Sequence, residues 1–122
     1  MKLQESGEMY LETIYILSRE MSQVRSIDIC AHLGYSKPSV SRAVKLLREE
    51  GYINVAGDGT ITLTDTGKDI AGTIYERHTV FTSMLVKLGV SRETAEQDAC
   101  RMEHAVSDES FQAIKKHLNT DH

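Results

Sequence analysis

The sequence predicts a mainly α chain, with an N-terminal winged helix-turn-helix and its two-stranded wing over residues 1–72 and a helical domain over residues 73–122. Three observations carry this prediction. Apolar residues recur at spacings of three and four through most of the chain, the period of a one-faced helix. Two short candidate helices meet at a glycine-bearing turn, Gly34-Tyr35. An Asp-Gly pair, Asp58-Gly59, separates two β-prone runs, a strong hairpin signal.

Each element follows in order. Met9-Tyr10-Leu11-Glu12-Thr13-Ile14-Tyr15-Ile16-Leu17 predicts a first helix from about Gly7 to Glu20, with Glu8 and Glu12 on its more polar side. Ser26 is the expected N-cap of a short second helix, Ile27 to Leu33, which Gly34 ends. Ser36 or Lys37 caps a third helix. Its first turn tolerates Pro38, since an N–H there has no intrahelical partner to lose. Val40, Ala43, Val44 and Leu47 form its apolar stripe, and Lys37, Ser39, Ser41, Arg42, Lys45 and Arg48 its other face. After Gly51, Tyr52-Ile53-Asn54-Val55 and Thr60-Ile61-Thr62-Leu63 flank Ala56-Gly57-Asp58-Gly59 as the wing. Thr64 or Thr66 opens a fourth helix that Ile70, Ala71, Ile74, Val80, Phe81, Met84, Leu85 and Leu88 carry to Gly89. Its length predicts a link between two units. Ser91 opens a fifth helix to about Val106, and Ser107 caps a sixth with Phe111, Ile114 and Leu118 on its apolar side. The tail from Asn119 to His122 is expected to fray.

Composition narrows the function. With 122 residues there is no room for a large catalytic body, and 40% hydrophobic with 26% charged residues is the balance of a folded globular chain. No apolar run approaches the roughly 18 residues of a membrane span, and Met1 to Gly7 lacks the apolar stretch of a signal peptide. A cytoplasmic protein is expected. There Cys30 and Cys100 stay thiols, with Cys30 a small core residue. The net charge of −4 is unevenly spread: Met21 to Arg48 holds five basic residues and one acidic, whereas Gly51 to His122 holds seven basic and eleven acidic. A local basic patch can hold phosphates whatever the total charge, and the acidic half suits a cation.

Two short helices and a tight turn, the second helix basic on its exposed side, form the unit that places a recognition helix in a DNA major groove. Ser36, Ser39 and Ser41 stand where they can approach phosphates and bases, and Arg42 where it can reach a guanine edge. Arg25, Lys37, Pro38 and Lys45 complete the expected DNA-facing set. Alone, such a face also fits a solvated helix surface. The preceding helix, the wing and the local charge surplus decide for double-stranded DNA.

A second constellation lies on the fifth helix. Glu96, Cys100, Glu103 and His104 fall at i, i+4, i+7 and i+8, within one stripe of about 100°. Carboxylate, thiol and imidazole groups so placed can ligate a divalent transition metal. The pattern is neither Cys-x-x-Cys nor His-Glu-x-x-His, which disfavours structural zinc and zinc-peptidase chemistry. By itself such a stripe is more often a polar helix face.

Three stretches decide the matter. Met9-Tyr10-Leu11-Glu12-Thr13-Ile14-Tyr15, Ser36-Lys37-Pro38-Ser39-Val40-Ser41 and Asp98-Ala99-Cys100-Arg101-Met102-Glu103-His104-Ala105-Val106-Ser107-Asp108-Glu109 together resemble the metal-dependent repressors of the diphtheria toxin repressor family, over essentially the whole chain. The resemblance implies a DNA-binding repressor of metal homeostasis genes that acts as a homodimer on a palindromic operator. The iron-responsive branch has its regulatory ligands at positions that fall on Met9, Cys100, Glu103 and His104, and His78 matches a histidine used in both branches. That branch has a glutamate where this chain has Thr82 and a histidine where it has Glu96, so a second site of its type would be altered or weak. The manganese-responsive branch has acidic residues in place of Met9 and Cys100, but shares Glu12 as a ligand and the short two-domain form without an SH3-like third domain. The expected metal set is therefore Met9, Glu12, His78, Glu96, Cys100, Glu103 and His104. Thioether and thiolate donors favour iron(II), with manganese(II) next.

Three rival readings stand beside this one. A metal-blind winged-helix regulator would sense a small molecule, and metal titration of the melting temperature separates it from the metal-dependent reading. A small metalloenzyme would use Cys100 and His104, but the chain offers no evident base or oxyanion donor. A protein-interaction module would leave the basic third helix without a duplex to bind.

Overall fold

The computed structural model describes residues 5–120. Its elements run α1 (Glu5–Glu20), α2 (Ser26–Leu33), α3 (Lys37–Glu49), β1 (Ile53–Val55), β2 (Ile61–Leu63), α4 (Asp65–Lys87), α5 (Arg92–Ala105) and α6 (Asp108–Thr120). The chain divides into two compact units, residues 1–72 and 73–122, and the division falls inside α4. No helix among the described residues is long and apolar enough to cross a membrane.

In the first unit α1 begins two residues before the expected Gly7, with Glu5 and Glu8 in its first turn complementing the positive end of the helix dipole. Leu11 and Ile14 of α1, Ile29 of α2, Val40 of α3, Ile53 of β1 and Ile61 of β2 are all at most 1% exposed and form one core. The α3 stripe is buried at Val40, Val44 and Leu47, while Lys37, Ser41, Arg42, Lys45 and Arg48 stay exposed.

The start of α2 differs from the expectation. Ser26 lies inside the helix and Arg25 is the N-cap, because the Asp28 carboxylate reaches back to accept the Arg25 N–H at 2.9 Å. The cap is thus supplied from the third helical position instead of by a cap hydroxyl. Gly34, in the left-handed region at φ 72°, ends α2 and donates to the Cys30 carbonyl at 2.8 Å.

The wing pairs Ile53 with Leu63, Asn54 with Thr62 and Val55 with Ile61, antiparallel. Gly59 alone among its loop residues has positive φ, at 90°, and its N–H donates to the Ala56 carbonyl. The turn is therefore a type I turn followed by a left-handed glycine, since a type I′ turn needs two positive-φ residues. The Asp58 carboxylate accepts the Thr60 N–H at 3.0 Å, which holds its pKa below the usual carboxylate range. β2 gains a further partner that the sequence pattern does not announce: Val24 forms an isolated bridge with Ile61, whose N–H donates to the Val24 carbonyl at 2.7 Å.

In the second unit, Phe81 of α4 meets Phe111 of α6 edge-on, with centroids 5.7 Å apart, and both rings are fully buried with Ala99 of α5. Ser91 caps α5 and Ser107 caps α6, each hydroxyl oxygen accepting the N–H three residues on. The α6 helix extends through Thr120, so Asn119 is helical, and the remainder of the tail expected to fray, residues 121 and 122, lies outside the described residues.

Candidate metal centre and nucleic-acid interface

The last turn of α5 presents a carboxylate between two imidazoles. Glu103 is fully buried. Its Oε2 lies 3.0 Å from His78 Nδ1 on α4, and its Oε1 lies 3.3 Å from His104 Nε2, the next residue on α5. The His104 side chain is 4% exposed and that of His78 is 27% exposed. A carboxylate stripped of water is costly unless positive charge offsets it, and the two imidazoles beside it complete a nitrogen and oxygen donor set suited to a divalent transition metal. This fit rests on the donors themselves: one anionic oxygen group and two borderline nitrogens, brought from two helices to one buried point.

The other expected metal residues stand as follows. Met9 is half-buried on α1, and its sulfur accepts a hydrogen bond from the Tyr35 hydroxyl at 3.7 Å. Glu12 is buried on the same helix. Cys100 is exposed, one turn before Glu103. Glu96 is exposed and ion-paired with Arg92 at 3.5 Å. Seven residues before Glu103, it sits about 10 Å back along the helix. The second unit therefore brings His78, Glu103 and His104 together and does not bring Glu96 to them. Thr82 is buried, and its hydroxyl finds no hydrogen-bond partner among the described residues.

One residue of this region escaped the sequence reading. The Arg77 side chain is only 11% exposed, and its Nη1 donates to the main-chain carbonyls of Glu103, at 3.2 Å, and Val106. Its guanidinium carbon lies 5.2 Å from the centre of the Phe111 ring. An arginine beside a histidine on a helix carries no mark in sequence that it will turn inward.

The expected DNA-facing residues sit on the first unit. Ser36 caps α3 in extended conformation, and its oxygen accepts the Ser39 N–H at 3.3 Å. Pro38 lies in the first turn, where it removes no helix hydrogen bond. Arg42 extends toward the Ser39 hydroxyl, 3.5 Å away, and Lys37, Ser41 and Lys45 are exposed on the same helix. Arg25 is engaged elsewhere: its guanidinium lies 3.8 Å from the Asp58 carboxylate at the wing tip and donates to Gln23 at 3.4 Å. Both members of the Arg25 and Asp58 pair are about half exposed, so water screens it and its contribution is small.

Comparison with known proteins finds two family models along the chain. Residues 2–61 match the iron-dependent repressor N-terminal DNA-binding domain, and residues 64–121 match the iron-dependent repressor metal-binding and dimerisation domain. The chain is 39% identical over 106 residues to the transcriptional regulator MntR of Escherichia coli O157:H7, covering 87% of this chain and 68% of the relative. It is 34% identical over 119 residues to the iron-dependent repressor IdeR of Mycobacterium tuberculosis strain H37Rv, covering 97% of this chain and 52% of that protein. Among solved structures, a manganese-dependent transcriptional repressor in complex with manganese superposes with a TM-score of 0.85 at 28% identity, over 93% of this chain and 52% of the other. The chain thus spans about half the length of IdeR and of the solved repressor. With both profiles matched in order along residues 2–121, the chain belongs to the diphtheria toxin repressor family, the iron-dependent repressors.

Proposed function

We propose that this protein is a sequence-specific, metal-dependent transcriptional repressor of metal homeostasis genes, with a divalent transition metal as co-repressor, acting as a homodimer on a palindromic operator. The observation that carries this reading is the buried Glu103 carboxylate between His78 and His104, on the same chain as a Ser36-capped recognition helix with a basic exposed face. Met9, Glu12 and Cys100 are the further donors of the proposed set. The thioether and thiolate among them favour iron(II), with manganese(II) next. Arg25, Ser36, Lys37, Pro38, Ser39, Ser41, Arg42 and Lys45 form the proposed DNA-reading set, with the half-exposed Arg25 standing beside Asp58 of the wing.

When bound, a divalent metal would supply the positive charge that the clustered acidic and imidazole donors lack. Glu103 places its carboxylate at a buried point, and the two histidines flank it from either side. A dimer then presents two copies of α3 at one spacing, which a two-fold symmetric operator matches. A bound metal would favour that spacing only by as much as the chain in that state held it more tightly.

The test is duplex affinity measured by fluorescence anisotropy on DNA selected from a random pool, with Fe(II) under anaerobic conditions, with Mn(II), and with chelator. At least a tenfold tighter binding with metal is expected, and the Glu103→Gln, His104→Ala double variant should lose that gain. Equal affinity with chelator and with both metals would refute the metal dependence and leave the DNA reader standing.

A further inference from the structure

Arg77 is a permanently charged side chain placed where charge is expensive. It is nine-tenths buried, yet its nearest acid, Asp108, is 3.8 Å away with a side chain 75% exposed, so that pair contributes little. Its close partners are two main-chain carbonyls and an aromatic face: Glu103, Val106 and the buried ring of Phe111.

Those carbonyls belong to the end of α5, which runs Arg92–Ala105 with Val106 as its C-cap. The last four carbonyls of a helix have no partner within it, and the final turn is where helices fray. Arg77 satisfies one of them, Glu103, and places its cation at the negative end of the helix dipole. Glu103 and His104, two of the three clustered donors, are in that same final turn. The third, His78, follows Arg77 directly in α4 and meets the Glu103 carboxylate at 3.0 Å. Two consecutive residues of α4 therefore hold Glu103 twice, Arg77 by its main chain and His78 by its side chain.

We propose that Arg77 is a positioning residue for the metal centre: it locks the last turn of α5 in register with His78 and so sets the affinity for the cation without touching it. Donor geometry must be held within about 0.5 Å, and loss of a group that orients a ligand typically costs 10- to 100-fold in metal affinity. This inference rests on the reading of His78, Glu103 and His104 as metal donors.

The experiment titrates the full chain with Co(II) alone, following affinity by calorimetry and coordination by the visible ligand-field spectrum. Arg77→Met, which keeps an unbranched apolar stem and removes both hydrogen bonds, is expected to weaken Co(II) binding 10- to 100-fold and to alter the spectrum. Arg77→Lys, which can still reach one carbonyl, should recover part of both. Lys115→Met, which breaks the 2.8 Å ion pair from α6 to Glu76 on α4, is the control and should match the wild type. Should Arg77→Met lose its helical circular dichroism, Arg77→Lys read against Lys115→Met decides in its place. Wild-type affinity and spectrum in the Arg77 variants, with binding lost in Glu103→Gln, would overturn the positioning role alone. Equal Co(II) affinity in the wild type and Glu103→Gln would overturn the metal reading, and the positioning role with it.

Discussion

Gly67 sits in the first turn of α4 with a β-carbon position 2.1 Å from the Tyr52 carbonyl oxygen, a main-chain atom that cannot step aside. That carbonyl also accepts the Thr64 N–H, while the Thr64 hydroxyl donates to the Gly51 carbonyl and its oxygen accepts the Gly67 N–H. The corner between wing and helix is thus closed by main chain on both sides. Helix propensity alone would favour alanine at this position by about 1 kcal/mol. The clash reverses the sign. Gly67→Ala should destabilise the protein by about 1–3 kcal/mol in urea unfolding, and an unchanged midpoint would mean that the corner relaxes freely. None of this was legible in sequence, where a glycine near the start of a helical pattern reads as a tolerated weakness. Arg77 was hidden for the same reason, since its inward turn depends on Phe111, 34 positions further on.

At the level of elements, local chemistry was the readable part. Ser36, Ser91 and Ser107 cap their helices, Gly34 ends α2, and the three- and four-residue spacing of Val40, Val44 and Leu47 is the buried side of α3. What failed to read was chemistry supplied from a distance or by a neighbour: Asp28 capping α2 through Arg25, and Val24 joining β2. The face of α3 opposite its buried stripe yields a direct prediction. Lys45 is exposed beside Arg42, where an ammonium can meet a phosphate without reading a base. Lys45→Ala should weaken duplex binding about equally for all sequences and reduce the slope of log affinity against log salt by about 0.9. A change in sequence preference with the slope intact would instead assign Lys45 to base reading. The proposed metal donors were half legible in the same sense. The α5 stripe puts Glu96, Cys100, Glu103 and His104 on one helix, but burial then divides it, taking Glu103 and His104 inward and leaving Glu96 beside Arg92 and Cys100 in solvent.

On the scale of the whole molecule, α4 is the element that both units share, and Gly72 stands at their division with open space around its β-carbon position. A mid-helix glycine costs about 0.5–1 kcal/mol relative to alanine. Gly72→Ala should therefore raise the thermal midpoint by a few degrees, as scanning calorimetry would register, and a fall would mean that the glycine answers a packing need. The bridge between Val24 and Ile61 has a different kind of consequence. It joins positions far apart in sequence, whereas α1, α2 and α3 are built mainly from neighbours, and closing a long loop must be achieved before the contacts it enables give any return. The expected order in time is therefore helices first and the register of the wing last, and substitutions in the wing should act chiefly on the unfolding rate, which stopped-flow unfolding of a Val24→Ala variant would measure.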